Sequence, residues 1–112
     1  MPREFTLTST EPIDAEVLID VVGHLEPVLT LRPLFGGWAA QVLDAEGTAV
    51  LTIEGSRWVE ATVAPLASGW PDRPVWLTEA TAPWGSAGDR GSLVISAIAA
   101  AVDADLIKEE GT

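Results

Sequence analysis

The sequence predicts an α+β fold, a single domain in which a mainly antiparallel sheet of about five strands packs with two helices. Three observations predict this class. Residues 38–63 alternate apolar and polar side chains around two turn sequences, which is the pattern of half-buried strands. Residues 13–25 and 92–102 carry apolar side chains at helical spacing. Prolines and glycines separate these segments, so the predicted order is β-α-β-β-β-β-β-α.

Residues 4–8 form the first predicted strand, because Phe5 and Leu7 alternate with polar residues. Ser9 and Thr10 are typical helix caps, and we expect the first helix to begin there. It ends near residues 26–27, a Glu-Pro pair that disfavours helical geometry. The outer face of this helix is acidic and carries Asp14, Glu16 and Asp20.

Residues 28–35 form the next predicted strand, and Pro33 favours the edge of the sheet. A three-strand meander follows over residues 38–63. Its first turn is residues 44–47, and a Gly-Ser pair at residues 55–56 closes the second hairpin. Pairing of Leu43 with Thr48 and of Glu54 with Arg57 gives one core face, made of Trp38, Ala40, Val42, Ala49, Leu51, Ile53 and Trp58.

The second half begins with a loop rich in proline over residues 64–74. A strand over residues 75–81 places Val75, Leu77 and Glu79 on one face and Trp76, Thr78 and Ala80 on the other. A glycine-rich capping loop then leads into a helix over residues 92–102. The helix is predicted to lie on the sheet through two stripes, Leu93, Ala97 and Ala101 beside Val94, Ile98 and Val102. We expect residues 103–112 to form a mobile tail.

Composition excludes several classes of function. Seventeen acidic and six basic residues give a formal net charge of −11 at pH 7, which disfavours nucleic acid and anionic membranes and favours a basic partner. The chain has no cysteine, so thiolate chemistry and disulfides are excluded. The first residues lead into a strand pattern without an apolar leader segment, and we expect a cytoplasmic protein.

Candidate catalytic and ligand-binding motifs have simpler structural explanations. His24 is the only histidine, and its pairing with Asp20 four residues earlier suits a helix end without any function. Carboxylate pairs at residues 44 and 46 and at residues 103 and 105 are typical turn formers. The glycine-rich residues 85–91 lack the lysine of a phosphate-binding loop. We therefore predict no enzymatic activity, no cofactor and no metal.

The tryptophans point toward a binding function. Trp38, Trp58 and Trp76 lie in predicted strands and are assigned to the core. Trp70 and Trp84 lie in loops, where a large ring either covers the end of the core or contacts a partner. The predicted partner-binding residues are Trp70, Asp72, Glu79, Trp84 and Asp89, and the second choice is the acidic helix face of Asp14, Glu16 and Asp20.

In build, a small, acidic, cysteine-free α+β chain with loop tryptophans resembles the immunity proteins of bacterial polymorphic toxin and contact-dependent inhibition systems. The resemblance implies a monomer that binds a cognate toxin domain, often a basic enzyme, and occludes its active site. Two alternatives stay open. One is an acidic secretion chaperone or adaptor, which typically dimerises, and the other is a regulatory domain that binds a small molecule.

Overall fold

The protein is described by a computed structural model for residues 3–25, 29–60 and 74–110. The predicted α+β class is confirmed, with two helices and a mostly antiparallel sheet. The elements are β1 (Arg3–Ser9), α1 (Ala15–Leu25), β2 (Thr30–Leu34), a 3-10 turn (Phe35–Gly37), β3 (Ala39–Leu43), β4 (Ala49–Glu54), β5 (Arg57–Val59), β6 (Val75–Ala82), α2 (Ser86–Ala101) and β7 (Asp105–Glu110).

The seven strands form one sheet in the order β2-β3-β4-β6-β1-β7, with β5 also beside β6. Both helices cover the same face, because side chains from each share one core with the sheet. Helix α2 contacts β4, β6 and β1, whereas α1 contacts α2 and the edge strand β2. The most deeply buried side chains of this core are Leu7, Val42, Val50, Leu51, Ile53, Val94, Ile95 and Ile98.

Strand β6 is the centre of the sheet and has the two faces that its sequence predicts. Ala80 and Ala82 join the core beneath the helices. Val75 and Leu77 lie on the other face and are also buried, with 3% and 2% of their surface exposed. Apolar burial on both faces therefore marks β6 as an interior strand.

The predicted hairpin at residues 55–56 is wrong. Strands β4 and β5 both pair with β6, through Ile53 opposite Ala80 and then Arg57 opposite Leu77. Three residues, 54–56, thus lie opposite only two on β6, residues 78–79, so the Gly-Ser pair forms a bulge in one interrupted strand. Glycine and serine suit a bulge as well as a turn. The pair forms a bulge here because the strands on both sides of it pair with β6, which is distant in sequence.

The β3–β4 hairpin is confirmed, but its register differs from the predicted one by two residues. Ala40 lies opposite Ile53 and Val42 opposite Leu51. The turn is longer than predicted because the Asp44 carboxylate accepts hydrogen bonds from the N–H groups of Glu46 and Thr48, at 3.0 and 2.9 Å. A shift of two residues keeps the side chains of residues 39–42 and 51–54 on their predicted faces. The register shifts once more between Val42 and Leu43, so Val50 rather than the predicted Ala49 joins the core.

The assignment of the strand tryptophans to the core is wrong for two of the three. Trp38 is 59% exposed and Trp58 is 49% exposed. Trp38 lies in the turn before β3, and Trp58 follows the bulge on short β5. Trp76 is partly buried and meets Trp58 edge to face, with ring centroids 5.6 Å apart.

The helices begin at different residues from those predicted. Asp14, not Ser9 or Thr10, caps α1, since its carboxylate accepts the Val17 N–H at 3.0 Å. Helix α2 begins at Ser86, so the predicted capping loop is its first turns. Its buried side is Val94, Ile95, Ile98 and Ala99, while Leu93 is 72% exposed.

The predicted mobile tail is wrong for residues 105–110, which form β7 beside β1. Helix α2 ends in two backbone hydrogen bonds, from Ala104 N–H to the Ala99 carbonyl and from Asp103 N–H to the Ala100 carbonyl. Asp103 takes the left-handed conformation, with φ of 53°, that turns the chain back toward the sheet. Residues 111–112 lie outside the described residues.

Candidate protein-binding groove

The first-choice site residues do not form one surface in the part of the chain that the structure describes. Trp70 and Asp72 lie outside it. Glu79 lies on the sheet face away from the helices, where its carboxylate accepts a hydrogen bond from Arg57 at 3.3 Å. Trp84 and Asp89 lie at the junction of β6 and α2. Glu79 is therefore separated from the other two by the sheet itself.

Trp84 and Asp89 are brought together around Arg3. The guanidinium of Arg3 lies 2.8 Å from Asp89 Oδ1 and 5.1 Å from the centre of the Trp84 ring. The Arg3 side chain is 17% exposed, so this cation is largely enclosed by its two partners. The cluster fastens the first strand to the start of α2, which gives Trp84 and Asp89 a structural role.

The second-choice residues do share one surface. Asp14, Glu16 and Asp20 are exposed along α1, and Ile19 lies among them with 63% of its surface exposed. The expected Asp20–His24 pair is present at the helix end, with His24 Nδ1 3.4 Å from Asp20 Oδ1. Both side chains are more than 70% exposed. This acidic face therefore carries an apolar side chain at its centre.

Beside this face, an apolar groove of about 560 Å³ runs between α1 and strands β2, β3 and β4. Its floor includes Ile53 and Leu18, which are buried, and its rim includes Ile19 and Trp38, which are exposed. The described residues that line it are Ile13, Asp14, Ala15, Leu18, Ile19, Leu31, Pro33, Gly37, Trp38, Ala39, Ala40, Ile53, Glu54 and Gly55.

The bulge between β4 and β5 holds both walls of the groove in place. The Ser56 hydroxyl accepts the Ile13 N–H at 2.8 Å and shares a 2.6 Å hydrogen bond with Thr78, whose side chain is fully buried. The Gly55 N–H donates to the Trp38 carbonyl at 2.9 Å. The segment before α1 and the turn before β3 are thus both hydrogen-bonded to the bulge, through Ser56 and Gly55. These bonds hold the two walls of the groove in place.

The charge around the groove is negative. Asp14 lies on the helix wall, and Glu16 and Asp20 follow it along the exposed side of α1. Among the described residues that line the groove, none is basic. The arginines of the neighbouring strands lie on the opposite sheet face, where Arg32 donates to Gln41 and Arg57 donates to Glu79. A ligand that enters the groove therefore meets carboxylates first.

No known protein family, curated protein or solved structure matches this chain. Across residues 3–25, 29–60 and 74–110, no helix is long and apolar enough to cross a membrane. Within the same ranges, no group of three acidic, histidine or cysteine side chains is arranged to hold a metal ion.

The acidic face beside the groove is predictable from the sequence, whereas its aromatic residue is not. Trp38 continues the alternation of β3, and this pattern predicts a strand residue in the core. Trp38 also follows two glycines, Gly36 and Gly37, and so lies next to a turn. The criterion that singled out Trp70 and Trp84, a tryptophan beside chain-breaking residues, therefore applies to Trp38 as well.

Proposed function

We propose that this protein binds a basic protein partner through the groove and its acidic border, and that it acts as an immunity protein that covers the active site of a cognate toxin. One observation carries the proposal. Two large exposed apolar side chains, Trp38 and Ile19, border an apolar groove whose charged neighbours are carboxylates. Contiguous apolar surface with a charged rim is typical of protein-binding sites.

Charge and apolar contact would have separate roles in such a complex. The acidic residues of α1, on a chain of net charge −11, would accelerate encounter with a basic surface. Trp38 and Ile19 would supply the contacts that keep the complex together, since aromatic anchors dominate interface energies. Added salt should therefore slow association more than it speeds dissociation.

The test is capture from the lysate of the host, followed by a neutralisation assay. Tagged wild-type protein, Trp38→Ala and Trp84→Ala are compared, and proteins eluted at high salt are identified by mass spectrometry. We expect wild type and Trp84→Ala to retain one stoichiometric basic protein and Trp38→Ala to lose it. The captured protein should be toxic when expressed alone and harmless when co-expressed with wild type.

Two results would contradict this proposal. Equal capture by Trp38→Ala and wild type, with loss in Trp84→Ala, would return the site to the cluster around Arg3. A captured protein whose activity is unchanged by the complex would remove the immunity role. Circular dichroism of each variant shows whether the fold is retained.

The groove also supports a second candidate, a site for a small apolar ligand. Its volume of about 560 Å³ and its largely apolar lining are within the range of small-molecule sites. A thermal-shift screen of metabolites tests this candidate, with Ala15→Trp as a variant that fills the groove from its exposed rim. A metabolite that raises the Tm of wild type but not of Ala15→Trp would favour the regulatory alternative.

The outer strands of the sheet favour a monomer. Strand β2 carries Pro33, which has no N–H to donate, and the sequence of β7 is largely charged. Both features discourage pairing of a sheet edge with another chain. We expect light scattering to give the mass of one chain, whereas a stable dimer would favour the secretion chaperone.

A further inference from the structure

The lining of the groove specifies the chemistry of what enters it, beyond the fact that a basic protein binds. We infer that the groove receives a short segment of the partner that presents bulky apolar side chains flanked by lysine or arginine. This inference rests on the proposed function, and it adds the feature of the partner that is recognised.

The apolar requirement follows from the burial of the lining. Ile53, Ile13 and Leu18 form the floor, with 1%, 5% and 8% of their surfaces exposed. Above them, Ile19 and Trp38 stay exposed at 63% and 59%. An apolar side chain that enters the groove would remove water from Ile19 and Trp38, and it would contact floor residues that are already buried. A polar insert would lose its own hydration and gain few hydrogen bonds.

The basic requirement follows from the position of the carboxylates. Asp14 stands exposed on the helix wall, so a cation beside an inserted apolar side chain would find a carboxylate there. Glu16 and Asp20 continue the negative surface along the exposed side of α1. An acidic segment would bring like charges together over an apolar floor, where water screens them poorly. A second copy of this chain, itself at −11, is disfavoured for the same reason.

Because both walls of the groove are held in place, the groove can receive a short segment of the partner and not only a single side chain at its rim. Because Ser56 and Gly55 already hold the segment before α1 and the turn before β3, binding need not order them. The cost of ordering then falls on the partner alone. A short amphipathic segment is therefore enough to test the specificity.

The probe is the peptide acetyl-Lys-Leu-Leu-Lys-Leu-Leu-Lys-amide, titrated into uniformly ¹⁵N-labelled protein. Two matched peptides replace every lysine by glutamate or every leucine by serine. We expect the parent peptide to shift amide signals of residues 13–19, 31–40 and 53–55. Both control peptides should bind at least about tenfold more weakly, because each lacks one half of the recognised chemistry.

Variants of the protein locate the two contributions. Ile19→Ser should weaken the parent peptide about tenfold. Asp14→Asn should weaken it less, and mainly at low salt, while preserving the helix cap, because asparagine caps as well as aspartate. Asp44→Asn, in the turn at the far end of the β3–β4 hairpin, is the matched control and should leave binding unchanged.

Failure of this inference is distinct from failure of the immunity role. If the peptide with serine in place of leucine binds as tightly as the parent peptide, charge attraction alone explains binding. If the peptide with glutamate in place of lysine binds as tightly, apolar contact alone explains it. Either result, or shifts confined to other residues, overturns the inference even if a toxin is captured and neutralised. Selective peptide binding without any captured toxin would instead uphold the inference and remove the immunity role.

Discussion

The two helices cover one face of the same sheet and differ in what they contact. Helix α2 lies directly on the strands, and a Cβ atom at Gly91 would fall 1.8 Å from the Val50 carbonyl oxygen in β4. Helix α1 contacts α2 and the edge strand β2 instead. The core beneath α2 is closed, whereas the groove opens beside α1.

Within this layer of two helices, α2 therefore mainly stabilises the fold, whereas α1 borders the candidate binding site. Close packing beneath α2 buries Val94, Ile95 and Ile98 almost completely. Helix α1 contributes Leu18 and Val22 to the same core, but its N-terminal end stands beside the groove. Large apolar side chains can stay exposed there, since the other half of the layer supplies most of the dense packing. Substitutions matched between the helices test this division.

The largest effect is expected for Gly91→Ala in α2. Its methyl group would collide with backbone, which cannot turn aside as a flexible side chain can, and we expect a loss of about 3 kcal/mol in the free energy of unfolding. The matched change Gly23→Ala in α1 should stabilise the protein by about 0.5–1 kcal/mol, since it meets open space and raises helix propensity. Urea denaturation followed by tryptophan fluorescence measures both. Similar effects at the two positions would contradict the close approach of α2 to β4 at Gly91.

Ser56→Ala should have the next largest effect, because it breaks the attachment of the groove to the sheet. It leaves the Ile13 N–H and the buried Thr78 hydroxyl without this partner, which should cost about 1–3 kcal/mol. The double variant with Thr78→Val should lose less than the sum of the single losses, since the hydroxyl is then removed with its partner. Additive losses in the unfolding measurements would show that the two hydroxyls do not interact.

The cap of α1 predicts a smaller change. Asp14→Ala removes the acceptor of the Val17 N–H and should cost about 1 kcal/mol, while Asp14→Asn should stay within a few tenths of wild type. The same denaturation series measures both variants. Equal losses would mean that the negative charge, rather than the cap hydrogen bond, stabilises this helix end.

The order of elements, the two faces of β6 and the acidic face of α1 follow from local sequence patterns, and all three are present. The missed features depend on distant partners. The bulge at residues 54–56 exists because β4 and β5 share β6, more than twenty residues along the chain. Strand β7 forms because the first strand accepts it as an edge neighbour.

The early start of α2 and the groove were missed for related reasons. Gly88 and Gly91 lower helix propensity, so the pattern favoured a loop, whereas tertiary packing uses their missing side chains for close approach. Alternation placed Trp38 in the core because it cannot show where a groove opens beside a helix. The acidic residues of the candidate site were therefore predictable from the sequence, whereas its apolar groove was not.

The smallest effect on stability is expected for an exposed apolar side chain on each helix. Ile19 and Leu93 are 63% and 72% exposed, so Ile19→Ala and Leu93→Ala should each change the free energy of unfolding by no more than about 0.5 kcal/mol. Their effects on binding should differ, since Ile19 borders the groove and Leu93 lies on the outer side of the closely packed helix. Surface plasmon resonance with the captured partner should show faster dissociation for Ile19→Ala alone. Faster dissociation for Leu93→Ala instead would place the interface on α2. The groove beside α1 would then have no role in binding this partner.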